Sequence, residues 1–211
     1  MPESDRDLES KTEEAHTEIP KDVEDLLARI RNDDAGIRTA AWRNASAIGA
    51  GAIEPLASIS SNEPMEVARA AKRGLWQIVR HCGRPGADTE RQTVNAALLN
   101  LLSDDHPVAL RREVLWMISE IGDDNAVPPV AAFLASEELR EDARMALERI
   151  PGNVSLDALK SALDTVPGEF KPNIADSLRQ RGEAVPGYPS AKLTPVKPTG
   201  VTPLHTSPDG Q

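Results

Sequence analysis

Leu110–Leu134 reads LRREVLWMISEIGDDNAVPPVAAFL, and the reading of this stretch decides the fold. Leu110, Val114, Ile118 and Ile121 are spaced four, four and three residues apart, which puts them on one helical face. Gly122-Asp123-Asp124 then supplies turn chemistry. Ala126, Val127 and Val130 open a second apolar stripe, with Pro128 and Pro129 in its first turn, where a missing amide costs little. The stretch reads as two amphipathic helices joined by a tight turn.

The same pattern recurs along the chain. Copies of the first helix start at Ile37, Val67, Leu110, Leu139 and Phe170, at steps of 30, 43, 29 and 31 residues. Positions 1, 5 and 9 of each copy are apolar. Position 12 is apolar until the last copy, where Arg181 stands, so that copy reads as a degenerate, polar-ended cap. The second helix repeats too: Ala52-Ile53-Glu54-Pro55-Leu56 parallels Ala126-Val127-Pro128-Pro129-Val130. Stretches from Asp88 and from Asn153 fill the same role, with those two residues as expected N-caps. A half repeat begins at Pro20, with Val23, Leu26, Leu27 and Ile30 at helical spacing.

Composition agrees with a helical core. Of 211 residues, 39% are apolar but only 3% aromatic, so the interior must be built from Ala, Leu, Ile and Val. A formal charge of −10 repels phosphate backbones, so nucleic acid is not an expected partner. Arginines on the first helices (Arg69, Arg73, Arg111, Arg112, Arg140, Arg144) alternate with Glu66, Glu113, Glu141 and Asp142, which reads as internally paired surface. The longest apolar run, Ala126–Ala135, is too short to span a bilayer, so no membrane is expected. The N-terminus has no apolar stretch of the secretory kind. The chain reads as soluble and cytoplasmic.

The ends differ from the middle. Residues 1–19 hold seven acidic and two basic side chains and almost nothing apolar, and are expected to be disordered. From Glu183 the period stops, and six prolines between Pro186 and Pro208 indicate an extended, disordered tail. Pro186–Pro189 and Pro195–Pro198 fit P-x-x-P. Thr194, Thr202 and Ser207 each precede a proline, as proline-directed kinases require, though both patterns are ordinary in such tails. Residues 20–182 are therefore the expected repeat domain.

The pattern apolar-Arg-x-x-Ala, then Ile-Gly-Asp, then Ala-[Ile/Val]-x-Pro-[Leu/Val] resembles the short HEAT-like repeats first associated with phycobilin lyase subunits. The resemblance covers Lys21 to about Gly182. It implies an all-α fold: a right-handed α-solenoid of about five helical hairpins, each burying its apolar face on the next. It also implies a ladder in which an acidic turn residue pairs with the arginine at position 2, here Asp34 with Arg38 and Asp105 with Arg111, broken at Ala68.

Catalytic readings fare poorly on the residues. HEAT-like hydroxylases bind iron through His-Glu motifs, yet none of His16, His81, His106 and His205 precedes a glutamate. No metal or other cofactor is therefore expected. Cys82 is the sole thiol, beside Arg80 and His81 in an expected loop, which is a weak case for a nucleophile. The expected function is a non-enzymatic scaffold that binds another protein through the concave surface or an outer tryptophan patch. The alternative is a lyase or cofactor-attachment accessory resembling phycobilin lyase subunits.

Two departures from the repeat suggest where binding occurs. The 43-residue step implies added chain around His81–Arg91, read as an exposed loop, with lengthening of the flanking helices as a further part of the expectation. Trp76 and Trp116 stand where other copies carry mostly polar residues. With Met145 they form the expected partner-binding patch on the outer helices, the competing expectation being packing between repeats. Trp42, at a position shared with Leu115, is expected to pack between repeats.

Overall fold

The computed structural model describes residues 20–189. Among them every regular element is helical, in the order expected. The half repeat is α1 (Val23–Ile30), whose N-cap Asp22 accepts the Asp25 amide. The first-helix copies are α2 (Ala35–Arg43), α4 (Met65–Cys82), α6 (Val108–Ile121), α8 (Arg140–Arg149) and α10 (Lys171–Gln180). The second-helix copies are α3 (Ile53–Asn62), α5 (Asp88–Asn100), α7 (Val127–Ala132) and α9 (Asn153–Thr165). Short 3₁₀ turns at Ala45–Ala47, Gly49–Ala52, Asp124–Ala126 and Phe133–Ala135 fit the chain between them.

The helices form two layers. In one, α2, α4, α6, α8 and α10 each pack on the next; in the other, α3 packs on α5 and α7 on α9. The chain is an α-solenoid of HEAT-like hairpins. The repeating apolar positions make its core: Ala71, Leu75 and Ile78 on α4; Val114, Ile118 and Ile121 on α6; Ala143 and Leu147 on α8 with Ile150 just beyond it; Ile174 and Leu178 on α10. Small residues allow close approach. Gly122 ends α6 so near its neighbours that an added Cβ would lie 2.7 Å from the Ile118 carbonyl and 3.0 Å from Ile150 Cγ1. The Gly in Ile-Gly-Asp is therefore a packing requirement.

Several local expectations are corrected. The 43-residue step adds little loop. α4 runs through His81 and Cys82, α5 begins at Asp88, and only residues 83–87 lie between. The extra chain mostly continues helices, where its amides are satisfied. The caps of α5 and α9 are Ala87 and Gly152, not Asp88 and Asn153, and neither makes a side-chain capping bond. The turn carboxylates also differ. Asp34 caps α2 by accepting the Gly36 and Ile37 amides, while Arg38 Nη1 donates to the carbonyls of Asn32 (2.6 Å) and Asp33 (2.8 Å). Arg111 pairs with Asp104 rather than Asp105.

The repeats end at Gly182, whose φ of +85° lets the Glu183 amide reach back to the Leu178 carbonyl at 2.9 Å. Beyond it, Glu183 pairs with Lys160, Val185 rests on the core, and the Tyr188 carbonyl accepts from Arg179. The expectations for residues 1–19, and for the tail from 190 onward with its phosphorylation-type sites, lie outside the described residues.

Candidate protein-interaction surface

The outer faces of α4, α6 and α8 are joined by a repeated polar arrangement. On α4, Lys72 and Trp76 are four residues apart and so share a face. Both donate to one carboxylate on the next helix: Lys72 Nζ to Glu113 Oε2 at 2.9 Å and Trp76 Nε1 to Glu113 Oε1 at 2.6 Å. On α6, Arg112 and Trp116 repeat the spacing. Arg112 Nε donates to Asp142 Oδ2 and Trp116 Nε1 to Asp142 Oδ1, each at 2.9 Å. α8 and α10 continue the stitching, with Glu148 accepting from Arg144 and from Ser177.

The two indoles differ in burial. Trp76 is half-buried against the core, with the Arg80 guanidinium 5.3 Å from its ring. Trp116 is 50% exposed. Met145 is half-buried on α8, three residues from Asp142 and so on the same face. Glu113 and Trp116 are likewise three apart on α6. Trp76, Trp116 and Met145 thus lie along one face of consecutive helices. That face is laced with carboxylates and cations, and Trp116 stands widely exposed on it, as does Met65 in line with Lys72 and Trp76 at the start of α4. Trp42 rests on the core, with Arg73 of the next repeat 5.6 Å from its ring.

Cys82 is not in a loop. It is the last residue of α4, 2% exposed, and its thiol donates to the Val79 carbonyl at 3.1 Å. Burial pushes the thiol up to about 11, so it is held as the protonated, poorly nucleophilic form. His81 is exposed at the end of the same helix, and His106 lies before α6. Among the described residues no group of three His, Cys, Asp or Glu is placed to hold a metal ion. No helix there is long and apolar enough to cross a membrane.

A second feature escaped the sequence reading. Two clefts open along the edge where first helices turn into second ones. One, of about 480 Å³, lies between the Ile48–Ala50 turn and the start of α5. The other, of about 570 Å³, is lined by Glu120, Gly122, Asp123 and Asp124 of one turn and by Pro151 and Gly152 of the next. The run Gly-Asp-Asp was legible only as turn chemistry. That successive turns flank a cleft depends on how the hairpins stack.

Residues 95–179 match the family model described as HEAT repeats. No curated protein matches the chain. Among solved structures, a designed armadillo repeat protein in complex with the peptide (KR)4 is 18% identical, with 84% of this chain and 95% of that one covered and a TM-score of 0.41. A second designed armadillo repeat protein is 18% identical over 85% of this chain and 95% of its own, with a TM-score of 0.38.

Proposed function

We propose that this HEAT-like repeat protein is a non-enzymatic scaffold, binding another protein through the outer face centred on Trp116 and flanked by Trp76 and Met145. The observation that carries the reading is the state of Trp116. Its ring is half open to solvent while its N–H is tied to Asp142. A ring already held in place gives up little freedom when a partner covers it. Tryptophan and arginine are the residue types most enriched at binding hot spots, and Arg112 is fixed beside Trp116 by the same carboxylate.

The test needs a defined complex. A partner captured from the native host on the wild-type chain is purified and titrated calorimetrically against wild type and Trp116→Ala. Binding to the variant is expected to be about 30-fold weaker or worse, as for a hot-spot tryptophan. The variant gives up one bond to Asp142 and the buried half of the ring, so its unfolding midpoint should fall modestly while it stays folded under the titration conditions. Equal affinity for the two proteins rules out this face.

A further inference from the structure

Arg181 demonstrates how this fold can finish the end of a first-layer helix. It follows α10, and its guanidinium lies on the last turn of α8. Nη1 donates to the carbonyls of Leu147 (3.1 Å), Glu148 (3.3 Å) and Ile150 (3.0 Å) and to Ser155 Oγ (3.0 Å); Nη2 donates to the Gly152 carbonyl (2.7 Å). The last carbonyls of a helix lack intrahelical donors and carry the negative end of its dipole, so a cation there is well placed.

One repeat earlier the same place has no such donor. The residue at the position of Arg181 is Ile150, which packs against Gly122. The Gly122 amide satisfies the Ile118 carbonyl at 2.7 Å. No described residue donates to the carbonyls of Ser119, Glu120 or Ile121 beyond it. The end of α6 opens instead into the cleft of about 570 Å³.

The walls of this cleft favour a cation. Glu120 and Asp124 are exposed there and form no ion pair among the described residues. Arg91, which also lines it, is already engaged by Asp88. Behind the wall, buried Asn95 of α5 donates from Nδ2 to Asp123 Oδ1 at 3.3 Å and so helps hold that lining acid in place. Ile121 and Pro151 supply apolar surface for an aliphatic stem.

We infer that this cleft takes an arginine side chain from an extended segment of a partner protein, its guanidinium on the end of α6 between Glu120 and Asp124. The inference rests on the reading that the chain binds proteins, and it adds a second surface with its own chemistry. Arginine fits better than lysine because several carbonyls and two carboxylates need a planar set of donors rather than one point charge. At about 570 Å³ the cleft has room for an arginine side chain. Residues 183–211 contain no arginine.

The test is a titration of the ¹⁵N-labelled full chain with the peptide Ac-Gly-Ser-Arg-Ser-Gly-NH₂, and with its citrulline counterpart, which keeps the shape and loses the charge. Saturable shifts are expected at the amides of Gly122, Asp124, Asn125 and Gly152 with arginine and not with citrulline. In the Glu120→Gln, Asp124→Asn double variant, binding should weaken about tenfold as the charge-assisted bonds are lost. Both residues are exposed, and a dispersed spectrum checks that the variant is folded. Indistinguishable shifts from the two peptides, shifts confined to other residues, or unchanged affinity in the double variant would each overturn the inference. Because the probe does not involve Trp116, such a failure leaves the outer-face reading standing, and loss of partner binding in Trp116→Ala leaves this one untouched.

Discussion

The indole N–H of Trp116 donates to Oδ1 of Asp142 at 2.9 Å, across two first-layer helices, while Arg112 holds the other carboxylate oxygen at the same distance. One acid thus fixes both a cation and an exposed ring of the preceding repeat, and Glu113 does the same for Lys72 and Trp76. The acid is only 13% exposed in its side chain, so these bonds are sheltered from water more than a surface ion pair is. Asp142→Ala is expected to cost about 1–2 kcal/mol of stability, the loss of two partly sheltered bonds. With Trp42 and Trp76 replaced by phenylalanine, Trp116 becomes the only indole. Acrylamide should then quench its fluorescence more readily when Asp142 is removed. Unchanged quenching would mean the ring is not held by this bond.

Arg181 closes the solenoid by clamping α10 to the end of α8. Arg181→Ala strips donors from four backbone carbonyls and should destabilise the chain by about 2–3 kcal/mol, as expected for charged hydrogen bonds at a helix end. Arg181→Lys should recover less than half, since an ammonium cannot span the same acceptors. Urea unfolding of the three proteins reads this directly. Equal midpoints for wild type and alanine would show that α10 is held by its apolar face alone.

Cys82 should behave as an interior group. In the native chain at pH 7.5, a thiol reagent such as DTNB should react far more slowly than in urea, since burial and a raised pKa both disfavour the thiolate. The folded pKa of about 11 lies above the ordinary 9.0. The protonated thiol is therefore favoured by folding, and its contribution is full below pH 9 and declines as pH rises toward 11. Cys82→Ala should remove that part of the alkaline decline. Rapid native labelling at neutral pH would contradict the burial.

Glu141 sets an acid-side dependence. The hydrogen bond from Arg144 holds its carboxyl below the ordinary 4.5 against the opposing effect of burial, with Asn173 of the next repeat also donating. A depressed carboxyl stabilises the fold above its unfolded pKa, and that contribution disappears as pH falls from about 4.5 through the lower folded value. Urea midpoints measured from pH 7 to pH 3 should fall less steeply for Glu141→Gln than for wild type. Parallel curves would remove Glu141 from the account.

The helices and their stacking were legible because apolar spacing is a local property. Val114, Ile118 and Ile121 must share a face whatever surrounds them, and a face that wide has to be covered. Repetition of the pattern then dictates that each hairpin covers the next. Even the departure at Trp116, where three other copies carry Arg43, Arg73 and Asp176, was visible by comparing copies.

What tertiary structure alone decided is the partner of each polar group. A guanidinium or an indole N–H reaches across to another helix, and small differences in reach and rotation select among nearby acids. Hence Arg111 meets Asp104 instead of Asp105, and Arg38 reaches the carbonyls of Asn32 and Asp33 while the turn acid Asp34 caps a helix. Arg181 looked like the loss of a core residue; folding brings it to the carbonyls of α8, more than 25 residues earlier in the chain. The cleft at the end of α6 is of the same kind. Its acids come from one turn and its far wall from the next, and no periodicity in the sequence encodes the space between them.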